Sequence, residues 1–284
     1  MAIHAHPDDE SSKGAATMAK YAAEGNRVKV VTCTDGRRGD ILNPAMDRPG
    51  VLDNILDVRR EEMARAAAAL GVEHVWLGYE DSGLPEGDPL PSLPEGSFAV
   101  RDPEEVAAEI VKQIREFRPH VIITYDENGG YPHPDHLMVH AISMIAWERA
   151  GDPDFAPGAG EPWTPLKLYY SHGFILQRMK LLQERLIQRG EKSPYELMIK
   201  RWEENEGDVF DRVTTQVECA DYFPQRAEAL TAHATQIDPA GAFLASPVKD
   251  QQDVWPTEEF ELAATRVKTT LPETDLFAGI EEEN

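Results

Sequence analysis

The stretch HAHPDDESSKG, residues 4–14, places two histidines, two adjacent aspartates and a glutamate within seven positions. His6, Asp8, Asp9 and Glu10 would repel or desolvate one another unless a cation or a substrate used them. The bland alternative is a helix cap, with Asp8 or Asp9 accepting from helix amides while His6 simply packs. A second group, YDENGGYPHPDHLMVH at 125–140, carries His133, His136 and His140 at spacings of three and four. These line one helical face if the helix begins near Pro134, with His140 a full turn deeper and expected to be an ordinary histidine. His6, Asp9 and His136 together make a site of two imidazoles and one carboxylate with open positions, which fits catalytic zinc and equally non-haem ferrous iron. The spacing does not say which aspartate ligates and which stands free. The free one is a ready general base beside the ion, where the pKa of water falls from about 16 to about 7. Tyr131 and His133 could hydrogen-bond the oxyanion of a tetrahedral intermediate.

Positioning these groups requires strand ends. AIHA (2–5), RVKVVTCT (27–34), HVWLG (74–78) and HVIITYD (120–126) read as strands. They alternate with an alanine-rich helix over 11–24, a helix from about Leu52 to Leu70, one over 103–117 opened by proline, and one over about 135–149. Apolar strands alternating with helices predict a mostly parallel sheet covered on both faces. Both ionisable groups then lie at the carboxyl edge of that sheet, where open α/β folds bind ligands. Further on come a strand KLYYSH, helical stretches over about 175–202, a strand RVTTQVEC and a helix over about 220–234. The region from Ile237 to Leu262 reads as a folded, loop-rich cap, because Phe243, Trp255, Phe260 and Leu262 offer apolar surface to bury. The last residues, EEEN, are expected to fray.

Bulk properties narrow the function. The 284 residues carry 51 acidic against 28 basic side chains, a formal charge of −23, which disfavours nucleic acid and anionic membranes and suits an enzyme of small molecules. Apolar runs fall well short of the roughly 20 residues of a membrane span, and no secretory leader pattern is seen, so a cytoplasmic protein is expected. Cys33 and Cys219 read as separate buried thiols. The first strand–helix turn has HPDDES where a dinucleotide binder would have a glycine cradle. A structural zinc site would be closed by four protein ligands, whereas a free aspartate beside the cluster points to chemistry.

AHPDDE followed about 120 residues later by HPDH resembles the LmbE-like, or N-acetylglucosaminyl-phosphatidylinositol deacetylase, family of zinc amide hydrolases. AHPDDESSKGA, TYDENGGYPHPDH, GEPWT, AHATQIDP and WPTEEFEL extend the resemblance over nearly the whole chain, toward the branch acting on mycothiol S-conjugates. It implies a Rossmann-like domain over 1–284, with a metal-binding core at 1–172 and a helical and cap region at 173–284 completing the pocket. It further implies zinc, or ferrous iron, on His6, Asp9 and His136, with Asp8 as general base. His133 would serve as acid or oxyanion partner, Tyr131 as a mobile carbonyl-polarising group, and Arg59 and Asp81 as sugar-binding residues. Lys13, one turn past the cluster, would steer the conjugate end of a longer substrate. The alternative within the family is a sugar N-deacetylase acting on acetylglucosaminyl-inositol.

Overall fold

A computed structural model describes residues 1–205 and 209–281; of the EEEN expected to fray, residues 282–284 lie outside the described residues. Five strands run parallel: β1 (Ala2–His4), β2 (Lys29–Thr34), β3 (Glu73–Tyr79), β4 (Val121–Thr124) and β5 (Lys167–His172). They lie in the order β3-β2-β1-β4-β5, so the chain reverses its direction of winding between β1 and β4. At such a switch point the loops leaving two neighbouring strands part, and a crevice opens at their carboxyl ends.

Successive strand residues face opposite sides of the sheet. Ile3, Val31, Ile122 and Leu168 pack on one side with Val106, Ile110 and Ile114 of α4 (Pro103–Phe117) and Val139 and Ile142 of α5 (Pro134–Arg149). Ala2, Val30, Ile123 and Tyr169 pack on the other with α2 (Ala15–Ala23), α3 (Ile55–Leu70) and α8 (Phe223–Ala232), through Met18, Met63, Leu70 and Ala229. Helices α6 (Leu176–Gln188), α7 (Glu196–Asn205) and α9 (Val248–Val254) lie beyond, around a smaller apolar cluster that includes Leu182, Leu186 and Ile199. Among the described residues no helix is long and apolar enough to cross a membrane. Cys33 and Cys219 are buried free thiols.

Two elements differ from the sequence reading. The helix expected over 11–24 is split into α1 (Asp9–Ser12) and α2 by Gly14, whose φ of +82° no ordinary residue holds comfortably and whose missing side chain leaves room for the Phe260 ring. The presumed cap contains a nine-residue strand, β7 (Thr257–Thr265), antiparallel to β5, with β6 (Thr215–Glu218) antiparallel outside it. Its opening TEE looks like surface, yet Glu258 and Glu259 are both buried. Glu258 accepts from the Ala16 and Thr17 amides at the start of α2, supplying an anionic cap from about 240 residues away. Glu259 accepts from Arg178, Trp255 and Thr257. Long-range partners of this kind leave no mark in local periodicity.

Behind the sheet, Lys167 Nζ meets Glu273 Oε1 at 2.5 Å and the Ala278 carbonyl at 2.9 Å, fully buried. Glu273 Oε2 also accepts from Tyr169 (2.5 Å) and Thr215 (3.0 Å). Lys167→Met would leave that carboxylate buried without its cation, and a loss of about 3–5 kcal/mol in stability is expected. Urea unfolding checks this; a loss below about 1 kcal/mol would show that the pair is not what ties the tail to β5.

Candidate metal centre

The centre is built where β1 and β4 end. After β1 the chain turns through His6, Pro7 and Asp8 into α1, with Asp8 at φ 124°, a conformation that non-glycine residues seldom hold. Glu10 Oε2 accepts from the Asp8 amide at 3.0 Å, and Glu10 is held in turn by His233, whose Nε2 lies 2.7 Å from Oε1. Burial opposes the charge of Glu10, but His233 brings its pKa down to about 2, so the carboxylate stays ionised as the clamp on the strained turn. After β4, residues 125–133 fold back over the end of α5. Gly129 is required there, because a Cβ at its φ of +70° would lie 2.7 Å from the His136 Cβ. His133 caps α5, its Nδ1 accepting from the Asp135 amide at 3.1 Å, and Pro134 occupies the first helical position.

These two turns bring three donor atoms together. His6 Nδ1 lies 3.2 Å from His136 Nε2 and 3.6 Å from Asp9 Oδ2, and His136 Nε2 lies 3.5 Å from Asp9 Oδ2. A tetrahedral ion with bonds of about 2.0–2.1 Å requires donors roughly 3.3–3.4 Å apart, so this triangle fits one. The far ring nitrogens have acceptors: His136 Nδ1 faces the Gly129 carbonyl at 2.8 Å and His6 Nε2 faces Asp135 Oδ2 at 3.1 Å. With protons assigned to those far nitrogens, both near nitrogens present lone pairs, the support that ligating histidines usually have. Asp9 Oδ2 is further oriented by the Tyr125 hydroxyl (2.6 Å) and the His6 amide (2.9 Å), and Tyr125 stacks on the His136 ring at 4.3 Å.

His6, Asp81, His133 and Asp135 form a second compact set around His6 Nε2. There Asp135 Oδ2 also accepts from the Ser82 amide, Asp81 Oδ1 accepts from the Gly83 amide and His133 Nδ1 is bonded to Asp135. Those contacts let the second set support the His6 ring from its far side, while Asp135 Oδ1 is buried without a hydrogen-bond partner.

Charge follows the same division. Burial opposes ionisation of Asp9, but Lys13, first, and His6 hold it well below the usual carboxylate range. Burial, with Lys13 and His6, keeps His136 neutral. Against the effect of burial, Asp135, Asp81 and Asp9 raise His6 well above the usual imidazole range, so in the absence of an ion the acidic cluster takes up a proton there. Asp8, half-buried, is pushed up to about 6 by burial and by the neighbouring charge of Asp9. Burial, reinforced by His6, lowers His133 to about 4.

Of the nine residues singled out in the sequence, seven line one cavity of about 550 Å³: His6, Asp8, Asp9, Arg59, Asp81, Tyr131 and His133. His136 is fully buried behind it. Tyr131 is 43% exposed at the mouth, its ring 4.7 Å from that of His136. Arg59 is buried, with one N–H reaching the Gly39 carbonyl at 3.4 Å. Lys13 lies elsewhere: its ammonium sits 2.5 Å from Asp9 Oδ1 and it lines the adjoining cleft. His140 is off the cluster, bonded to the Tyr125 carbonyl at 3.1 Å. Sequence reasoning missed Tyr125, Asp135 and His233. Asp135 could have been found, since it stands between two singled-out histidines in HPDH; nothing local marks His233.

Comparison with known proteins gives the chain its relatives. Residues 1–147 match the family model PIG-L, GlcNAc-PI de-N-acetylase. The chain is 56% identical over 289 aligned residues to mycothiol S-conjugate amidase of Streptomyces coelicolor, covering 99% of this chain and 97% of that protein. It is 40% identical to 1D-myo-inositol 2-acetamido-2-deoxy-alpha-D-glucopyranoside deacetylase of Streptomyces scabiei, covering 98% and 88%. Among solved structures, 4-carboxy-2-hydroxymuconate hydratase GalB of Pseudomonas putida superposes with a TM-score of 0.61 at 17% identity, covering 95% of this chain and 98% of that one, a likeness of fold.

Proposed function

We propose, from the premise that the chain belongs to the GlcNAc-PI de-N-acetylase family, that it hydrolyses the glucosaminyl amide of mycothiol S-conjugates, releasing a mercapturic acid and glucosaminyl-inositol. The observation that carries the chemistry is the donor triangle of His6, Asp9 and His136 with the half-buried Asp8 carboxylate beside it. The choice of substrate is supported by the identity, over nearly the full length of both chains, to the Streptomyces coelicolor amidase. We read 1–284 as one domain, with 1–172 carrying the metal and 173–284 completing the pocket. The proposed compartment is the cytoplasm, in keeping with two buried free thiols.

Zinc is the proposed ion, with ferrous iron as the alternative for the same ligands; either would polarise the amide carbonyl and acidify the attacking water. Asp8 takes the proton from that water and hands it to the departing amine. Burial and the charge of Asp9 raise this carboxyl above the ordinary carboxylate range, to about 6 without an ion, which brings it toward the range of a group that must both accept and return a proton. The His133 Nδ1 accepts from the Asp135 amide, which leaves the neutral ring its Nε2–H to donate to the developing oxyanion. Tyr131, whose hydroxyl pKa is raised by burial and by Asp9 and Asp8, remains a neutral O–H donor for the same oxygen. Arg59 and Asp81 grip the sugar, and Lys13 keeps Asp9 ionised and oriented.

Side-by-side turnover of a mycothiol conjugate and of acetylglucosaminyl-inositol at defined metal loading tests the reading. At least about tenfold higher kcat/KM for the conjugate is expected, roughly 1.4 kcal/mol in transition-state binding. Equal or reversed efficiencies would favour the deacetylase.

A further inference from the structure

Two cavities meet over the candidate metal centre, and their linings differ. Asp8, Asp9, Leu42, Leu84, Tyr131 and Gln236 belong to both. One side is polar, with Arg38, Asp40, Arg59, Asp81 and Glu86, and suits a polyhydroxylated sugar and inositol. The other, of about 520 Å³, has an apolar part made by Phe174, Met198, Trp202, Ile237 and Phe243, none of which lines the polar side. Of the large apolar residues exposed among the described residues, Phe243 stands on this second cavity alone, while Leu42, Leu84 and Tyr131 line both cavities around the centre. Exposed apolar side chains gathered at one concave place mark a binding surface, and these adjoin the reacting centre. Phe174 stands between two further rings, its centroid 6.1 Å from that of Trp202 and 6.1 Å from that of Phe243. The three rings come from the segment after β5, from α7 and from the loop before α9, regions outside the metal-binding turns.

We infer that this aromatic lobe is the subsite for the apolar group carried on sulfur by the acyl half of the substrate, and that it selects aromatic thioethers over small ones. The inference rests on the amidase reading above and deepens it. A scissile amide at the junction has its sugar on the polar side, so its acyl half extends into the apolar side. An acetyl group would leave the three rings untouched. A benzyl thioether can reach them, where it buries its ring against aromatic faces. Contacts remote from the reacting atoms then raise kcat/KM for the longer substrate without any change in the centre itself.

The test uses the full-length, metal-loaded protein and two mycothiol conjugates that differ only in carrying S-methyl or S-benzyl. The benzyl conjugate is expected to be cleaved with a kcat/KM at least about tenfold higher. In Trp202→Ala and in Phe243→Ala, each checked for native circular dichroism, that ratio should collapse toward one. A wild-type ratio near one, or a ratio unchanged in both variants, overturns the lobe. Turnover of acetylglucosaminyl-inositol with neither conjugate cleaved would instead overturn the amidase reading. Calorimetric binding of N-acetyl-S-benzyl-cysteine then decides the lobe separately: binding weakened at least about tenfold by Trp202→Ala upholds it, and absence of binding to the wild type refutes it.

Discussion

Asp8→Asn is expected to lower turnover by about two to four orders of magnitude while the protein keeps its metal ion and its affinity for substrate. The substitution is nearly isosteric, and asparagine tolerates positive φ as well as aspartate does, so the turn at φ 124° survives. The Glu10 contact also survives, because it is made to the Asp8 backbone amide. What disappears is the carboxylate that lines the cavity beside the donor triangle without belonging to it. The pH profile gives a second readout. A base must be ionised to act, so wild-type kcat/KM falls as pH drops through the Asp8 pKa, about 6 without an ion and lower beside one. The residual activity of the variant should lack that acid limb. A fall of less than about fivefold, with metal content intact, would remove Asp8 from the role of base.

What was legible in the sequence follows the range of the interactions involved. HAHPDDE and HPDH are local clusters, and the alternation of apolar runs with helices puts both at strand ends; the structure brings His6, Asp9 and His136 within 3.6 Å of one another there. Strand KLYYSH was readable because its burial is continuous. β7 was not, since Glu258 and Glu259 resemble solvent-exposed residues until Arg178, Arg226 and the α2 amides are folded against them. His233 escaped for the same reason, its partner Glu10 lying 223 positions away. The position of Lys13 one turn past the cluster was legible, but its pairing was not. In a low-dielectric site an ammonium has more to gain from Asp9 at 2.5 Å than from open solvent. Its first effect is therefore on the charge of the ligand set.

That charge decides how tightly the ion is held, and His136→Ala is the sharpest probe of it. Purified protein should carry about one divalent ion per chain, and the variant should lose most of it, because a two-donor site remains. His140→Ala should retain the ion, since His140 bonds the Tyr125 carbonyl outside the triangle; the opposite pattern would overturn the ligand assignment. Affinity should also depend on pH, with a definite sign. Asp135, Asp81 and Asp9 hold the His6 imidazole well above its ordinary pKa, so an ion entering the triangle must displace a proton. Chelator competition should therefore show tighter binding at pH 8 than at pH 6, with protons released on loading. Asp135→Ala separates this competition from orientation. Without the carboxylate 3.1 Å from Nε2, the His6 ring loses its anchor and affinity should fall about 10–100-fold. The same change lowers the proton affinity of His6, so the pH dependence should flatten. Weaker binding with an unaltered pH slope would mean that the competing proton sits elsewhere in the cluster.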